Sequence, residues 1–190
     1  MTGKIAPGLA AKSAGVVVLG LGNVLLGDDG VGAAAIARIE RDYRMPPGVR
    51  LVEGGTLGLS LLGVVAEAEH MILVDAVFVD RPPGALVRID GADVADAVRD
   101  RLSPHQVGVA DLLEAARLID RYPTSVTLLG LAPESLDLAV VRSRAVDRGL
   151  DELVAAVVRE VESLGHKMVR EVEAGTRDRP IHDLTRHFGM

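Results

Sequence analysis

The chain has no cysteine among its 190 residues. Disulfides, a cysteine nucleophile and thiolate metal ligation are thereby excluded for this chain, and the composition suits a reducing cytoplasm, which is the expected location. Aromatic side chains are scarce as well, at 2% against 48% hydrophobic residues overall. The core must therefore be built from Val, Leu, Ile and Ala. That favours buried parallel strands covered by helices, because such strands read as continuous aliphatic runs. Clustered positive charge is also missing: the formal net charge is −6 and the Lys and Arg residues are scattered. A nucleic-acid surface needs grouped basic side chains to neutralise phosphates, so no nucleic-acid partner is expected. Long apolar runs are absent too. No stretch reaches the ~18 residues of a membrane span, since Asn23 and Asp28 break the first candidate and Ser60 interrupts the second, and no membrane insertion is expected. Lys4 and Lys12 ahead of Val16–Leu19 imitate a signal peptide, but the run is short and leads straight into an acidic turn. It reads as a first strand.

What is present is an alternation of strands and helices. Residues 1–14, with Pro7 and several glycines, are expected to form a flexible arm, and residues 15–165 a single α/β domain. A strand over about 15–20 precedes a helix over 30–43, with Gly32, Ala35, Ile36, Ile39 and Tyr43 on one face. A second strand near 49–53 leads through the turn "GGTLG" to a helix from Leu57 to Ala68. "MILVDAVFV" is the most strand-like segment, apolar throughout except for Asp75. "DRPPG" then turns into "ALVRID", read as its antiparallel hairpin partner because so short a link cannot make a parallel crossover. A short helix is predicted over 92–100. Another starts at "SPHQ", with Ser103 as N-cap, Pro104 at the first helical position and Gln106 completing a capping box. Its predicted buried face is Val109, Leu112, Leu113, Ala116 and Ile119. "SVTLLGLA" is the last strand, and Leu150, Leu153, Val154, Val157, Val161 and Leu164 mark the last helix. Beyond Gly165 the periodicity stops, and 166–190 read as a charged, flexible tail. The predicted fold class is α/β: three layers, a mostly parallel five-stranded sheet with one antiparallel strand, and helices on both faces.

Open sheets of this kind bind ligands at the carboxyl ends of their strands. Three strands end there in acid: the first in Asp28 and Asp29, the second in Glu53, the third in Asp75. His105, opening a later helix, is placed to face the same edge. Gathered carboxylates repel one another unless a cation or shared protons compensate. The pattern therefore points to a metal or to acid chemistry. A bland use stands beside each residue. Asp28 or Asp29 serves equally as a helix cap, His105 as a helix-start residue with local hydrogen bonds, and Gly54–Thr56 as a tight turn. Asp75 is harder to assign structurally, because a carboxylate buried unpaired in an apolar strand costs several kcal/mol. His70, His166, His182 and His187 read as surface or tail residues, and "HDLTRH" in the tail as adventitious at most.

The glycine-rich segment "GLGNVLLGDDGVG" fails as a phosphate loop. The third glycine of a dinucleotide fingerprint is replaced by Leu25, and the P-loop lysine is missing. "GLSLLG" is not a serine-hydrolase elbow, and there is no His-Glu-x-x-His.

Taken together, "GLGNVLLGDDGVG", "EGGTLG", "LVDAV", "SPHQVGVADLL" and "GLAPESL", in this order over residues 15–164, resemble the hydrogenase maturation endopeptidases. The resemblance implies a twisted five-stranded sheet flanked by helices. It implies an activity that removes the C-terminal extension from the large-subunit precursor of a nickel–iron hydrogenase, once nickel is inserted. The family's metal-contacting acid falls on Asp29, its strand-end acid on Asp75 and its histidine on His105, which become both the catalytic and the metal-contacting candidates. Two oxygens and one imidazole suit nickel or zinc-like ions. The nickel is expected to arrive with the precursor, and no organic cofactor is implied. Glu53, Gly54, Gly55 and Thr56 fall on the family's substrate-recognition turn, where Glu53 stands in place of the usual Asp. Three rival functions remain open at this point: a non-catalytic nickel-binding or chaperone module, a small-nucleotide-binding protein, and a nickel-independent aspartic protease whose two carboxylates share a proton.

Overall fold

The computed structural model describes residues 14–91, 93, 94 and 104–171, and of residues 104–108 the backbone only. The two strands with the longest aliphatic runs form its centre. In β1 (Ala14–Leu21) and β4 (Ala68–Ala76), Val16 to Leu19 and Ile72 to Val74 are at most 1% exposed. Outside β1 lies β3 (Val49–Gly55). Outside β4 lies β6 (Ser125–Leu131), and β5 (Leu86–Asp90) closes that side, so the order is β3-β1-β4-β6-β5. All pairings are parallel except that of β5 with β6.

The two-residue period of a strand sorts its side chains into two cores. Val17, Leu19, Met71, Leu73, Val126 and Leu128 face one side, which α2 (Leu62–Glu67) and α3 (Pro104–Leu118) cover with Val65, Leu112, Leu113 and Ala116. Val16, Val18, Ile72, Val74 and Leu129 face the other, covered by α1 (Val31–Asp42) and α4 (Arg144–Ser163) with Ile36, Ile39, Leu153, Val157 and Val161. This is the three-layer α/β arrangement expected from the composition. Burying each such side chain contributes ~1.5–3 kcal/mol.

The hairpin expectation is corrected. "ALVRID" is antiparallel, but it pairs with β6 and not with β4. The connection passes the end of β6, where Val77 N donates to Leu131 O (2.8 Å) and Ala132 N to Ala85 O (3.0 Å). Crossing two strand spacings takes only about 10 Å, well within reach of this link. Alternation along β5 also suits an edge: Val87 is buried, whereas Arg88 and Asp90 are exposed, which discourages pairing with another chain. Three boundaries shift as well. The predicted helix over 57–68 is a 3-10 turn at Gly58–Leu61 followed by α2, and Ala68 already belongs to β4. The strand predicted over 71–79 ends at Ala76. Ile119 lies past α3 and is 45% exposed.

The predicted helix over 92–100 lies outside the described residues apart from Asp93 and Val94, and so does the Ser103 capping box. The N-terminal arm is outside them up to residue 13, as is the tail from 172 onward. Immediately after Gly165 the chain stays on the body. Met168 is 6% exposed within the α1–α4 core, and β7 (Val169–Arg170) pairs antiparallel with β2 (Tyr43–Arg44). Among the described residues, no helix is long and apolar enough to cross a membrane.

Candidate active site

Past the carboxyl end of β1 the chain makes the turn Gly22–Leu26 and a 3-10 turn, Gly27–Gly30, that runs into α1. Asp28 and Asp29 occupy this 3-10 turn and are each 1% exposed. Neither caps α1: its N-cap is Gly30, without a side-chain bond. The capping alternative is therefore wrong for both. Asp28 instead reaches across to the segment after β6. Its Oδ2 accepts Glu134 N–H (2.8 Å) and Ser135 N–H (3.3 Å), and its Oδ1 accepts Ser143 N–H (2.6 Å). Ser143 in turn caps α4, its Oγ accepting Val146 N–H at 3.2 Å. One buried carboxylate thus ties both ends of residues 134–143 to the first acidic turn.

Asp29 faces a different way. Its Oδ2 accepts Asn23 N–H at 2.7 Å, which fixes the carboxylate beside the turn at Gly22. Asp75, the penultimate residue of β4, is 7% exposed, and its Oδ1 accepts the next N–H, that of Ala76, at 2.8 Å. Gly22 joins the two acids. It has φ +106°, and a Cβ there would lie 1.9 Å from the Asp29 carbonyl oxygen and 3.4 Å from Asp75 Oδ1. Only glycine permits that dihedral at low cost and lets the chain pass so closely between the two. Gly130 plays a similar part on β6, where a Cβ would meet Asp75 O at 2.1 Å.

Asp75 opens onto a narrow cleft lined by Leu21, Gly22, Gly55, Thr56, Val109 and Leu112. Its walls are mostly glycine backbone and aliphatic side chain. Of the predicted recognition turn, Gly55 and Thr56 border this cleft, and Gly55 O accepts Gly22 N–H at 3.1 Å. Gly54 is buried, packed so closely that a Cβ would sit 2.7 Å from Leu19 Cδ1. Glu53 is exposed and stands opposite Gly20 in the ladder. The backbone of His105 is in the first turn of α3, and its side chain lies outside the described residues. Helical register puts position 105 one turn before Val109, whose side chain lines the cleft. Among the described residues, no three His, Asp or Glu side chains are grouped to hold a metal ion. The structure thus brings two of the three predicted site residues to one edge, and the third by backbone position alone. Sequence reasoning missed the role of Asp28. Its donors are the backbone N–H groups of Glu134, Ser135 and Ser143, which no side-chain pattern announces.

An open α/β sheet with buried carboxylates at its carboxyl edge, beside a narrow cleft, defines an α/β protein with an acidic site and not a phosphate binder. The particular family follows from similarity to known proteins. The family profile described as hydrogenase maturation protease matches residues 34–160. The hydrogenase 2 maturation protease of Escherichia coli is 33% identical over 169 residues, covering 88% of this chain and 99% of that protein. The hydrogenase expression/formation protein HupD of Rhodobacter capsulatus is 37% identical, over 85% of this chain and 78% of its own length. Among solved structures, the hydrogenase-maturating endopeptidase HybD of E. coli superposes with a TM-score of 0.80 at 31% identity, covering 83% of this chain and 98% of that one. The chain belongs to the hydrogenase maturation proteases and is an endopeptidase. The nucleotide-binding and non-catalytic alternatives fall with that assignment.

Proposed function

We propose that this endopeptidase removes the C-terminal extension from the large-subunit precursor of a nickel–iron hydrogenase after the precursor has received its nickel, and that it acts in the cytoplasm. One observation supports the reading above others. In a chain of this family, two buried carboxylates, Asp29 and Asp75, adjoin the same Gly22 turn, and Asp75 opens onto a narrow cleft there. Carboxylates held together away from water lose hydration and repel one another. A divalent cation delivered by the substrate offsets both costs, whereas a peptide alone offsets neither. Nickel in this reading is cargo of the substrate and serves as its pass for cleavage. Asp29, Asp75 and His105 contact it, and the contact sets the neighbouring peptide bond over the cleft.

Hydrolysis adds water to the scissile carbonyl and breaks the C–N bond, with a proton passing to the departing amine. The substrate's nickel and a site carboxylate between them activate the water and stabilise the charge that develops. Gly54, Gly55 and Thr56 receive the chain leading to the bond, and Glu53 meets the precursor from the rim. The test is processing of nickel-loaded and nickel-free precursor by wild type, Asp29→Ala, Asp75→Ala and His105→Ala, with unfolding midpoints confirming the fold. Wild type is expected to give a single mobility shift on the loaded precursor only, and each variant a loss on the order of 10²-fold or more. Equal cleavage of nickel-free precursor would defeat the gating. Full activity of Asp75→Ala would defeat the site.

A further inference from the structure

Among the described residues, twelve large apolar side chains are well exposed, and nine of them lie in the loops that leave the carboxyl ends of the four parallel strands. Five of the nine make one patch. Leu138, Val140 and Val141 are 83%, 78% and 72% exposed, and Val24 and Leu25 are 52% and 53% exposed. The two segments are joined through backbone: Gly27 N donates to Ala139 O (2.7 Å), and Ala139 N donates to Leu25 O (3.0 Å). Both ends of the 134–143 segment are held in addition by Asp28. A strap tied down this firmly while its largest apolar side chains stand in water is a surface built to be covered.

We propose that residues 133–143, with Val24 and Leu25, form the docking platform for the folded body of the protein substrate, separate from the cleft that takes its scissile segment. The inference rests on the proteolytic function proposed above. Continuity selects this occupant. Val24 and Leu25 belong to the turn that carries Gly22, which lines the cleft, so a polypeptide with its bond at the cleft has this face beside it. Charge selects against a second copy of the chain. The strap exposes the acids Glu134 and Asp137 on a chain of net charge −6, and its one base, Arg142, is paired with Asp147 at 2.9 Å, so two copies would set like charges against each other. The complementary surface is apolar at its centre with basic residues at its margin.

The test compares wild type with a variant carrying Leu138→Ser, Val140→Ser and Val141→Ser, and with Val140→Asp alone. Leu118→Ser, at the end of α3 and 87% exposed, is the control. The half-saturating concentration of nickel-loaded precursor and the maximal processing rate are measured separately, alongside sedimentation of the free protein. The strap variants should raise the half-saturating concentration at least about tenfold with a maximal rate within about twofold of wild type, a split that damage to the catalytic residues would not give. The control should change neither. An unchanged half-saturating concentration in both strap variants, with wild type active, overturns the docking inference alone. A dimeric wild type that the strap variants convert to monomer, at unaltered precursor affinity, overturns it in favour of a second copy. Failure of wild type to cut loaded precursor removes the function itself, and the docking inference with it.

Discussion

Replacing Asp28 isolates the part of the double acid that is structural. The carboxylate accepts two short hydrogen bonds, at 2.6 and 2.8 Å, and a long one at 3.3 Å. Hydrogen bonds to a charged group contribute ~1.5–3 kcal/mol each, so the two short ones together are worth roughly 3–6 kcal/mol on that scale. Asp28→Ala loses all of this and leaves three N–H groups unpaired. The cost is capped, however, because the strap can lift locally and let water satisfy them. Asp28→Asn keeps the shape but offers one oxygen. Its amide nitrogen then faces either Ser143 N–H or Glu134 N–H, donor against donor, and about half the stabilisation goes, roughly 1.5–3 kcal/mol. For a chain of this size, 1 kcal/mol moves the unfolding midpoint by about 2–4 °C. Asp28→Asn should therefore melt about 3–12 °C lower if the loss is felt globally. If the strap opens alone, the midpoint holds and amide exchange at Glu134, Ser135 and Ser143 accelerates about 10- to 150-fold, the same energy read locally. Asp28→Ala should exceed it on whichever scale responds. An Asp28→Asn protein with wild-type midpoint and wild-type exchange at those three amides would refute the reasoning.

Two further outcomes follow from the margins of the fold. Truncation after Gly165 removes buried Met168, the β2–β7 pairing and the bond from Glu171 N to Asp42 O; since emptying a buried methionine site costs ~2–5 kcal/mol, this protein should melt several degrees lower, whereas truncation after Glu171 should leave the midpoint unchanged. Hydrogen bonds from Arg41 and Arg38 hold Asp42 down to about 2, below the ordinary 3.8. A depressed folded value stabilises above the unfolded one and is lost as pH falls through the folded one. The midpoint gap between wild type and Asp42→Asn should thus be constant above about pH 4 and close towards pH 2; a gap that widens on acidification would exclude the ion pairs as its source.

How much of this was legible depended on whether the signal was local. Strands β1, β4 and β6 announced themselves because a strand buried on both faces must be largely aliphatic, and α4 because its apolar stripe repeats over about four turns. The partner of β5 was not legible from linker length, which fixes direction but not adjacency. Weighing Arg88 and Asp90 against the mostly apolar β6 would have placed β5 at the edge. Asp75 stood out as one carboxylate in an apolar strand. Met168 was hidden for the opposite reason, since the Met168-Val169 pair between Lys167 and Arg170 is too short to carry a period. Asp28 was hidden because its partners are backbone N–H groups more than a hundred residues away, and main-chain donors leave no mark in side-chain identity.

The pairing of Asp28 with Asp29 then has a geometric reading. A 3-10 turn has three residues per turn, so successive side chains leave its axis about 120° apart. Gly27–Gly30 is such a turn. With that rotation Asp28 reaches the strap after β6 while Asp29 reaches the Gly22 turn. One acid is consumed in fastening the edge together, by three backbone bonds that leave neither oxygen without a donor. Its neighbour is held on the Gly22 turn by Asn23 N–H. The negative charge at the end of the first strand is thus divided: Asp28 fastens the edge together, and Asp29 is left on the turn where the proposed function needs a carboxylate.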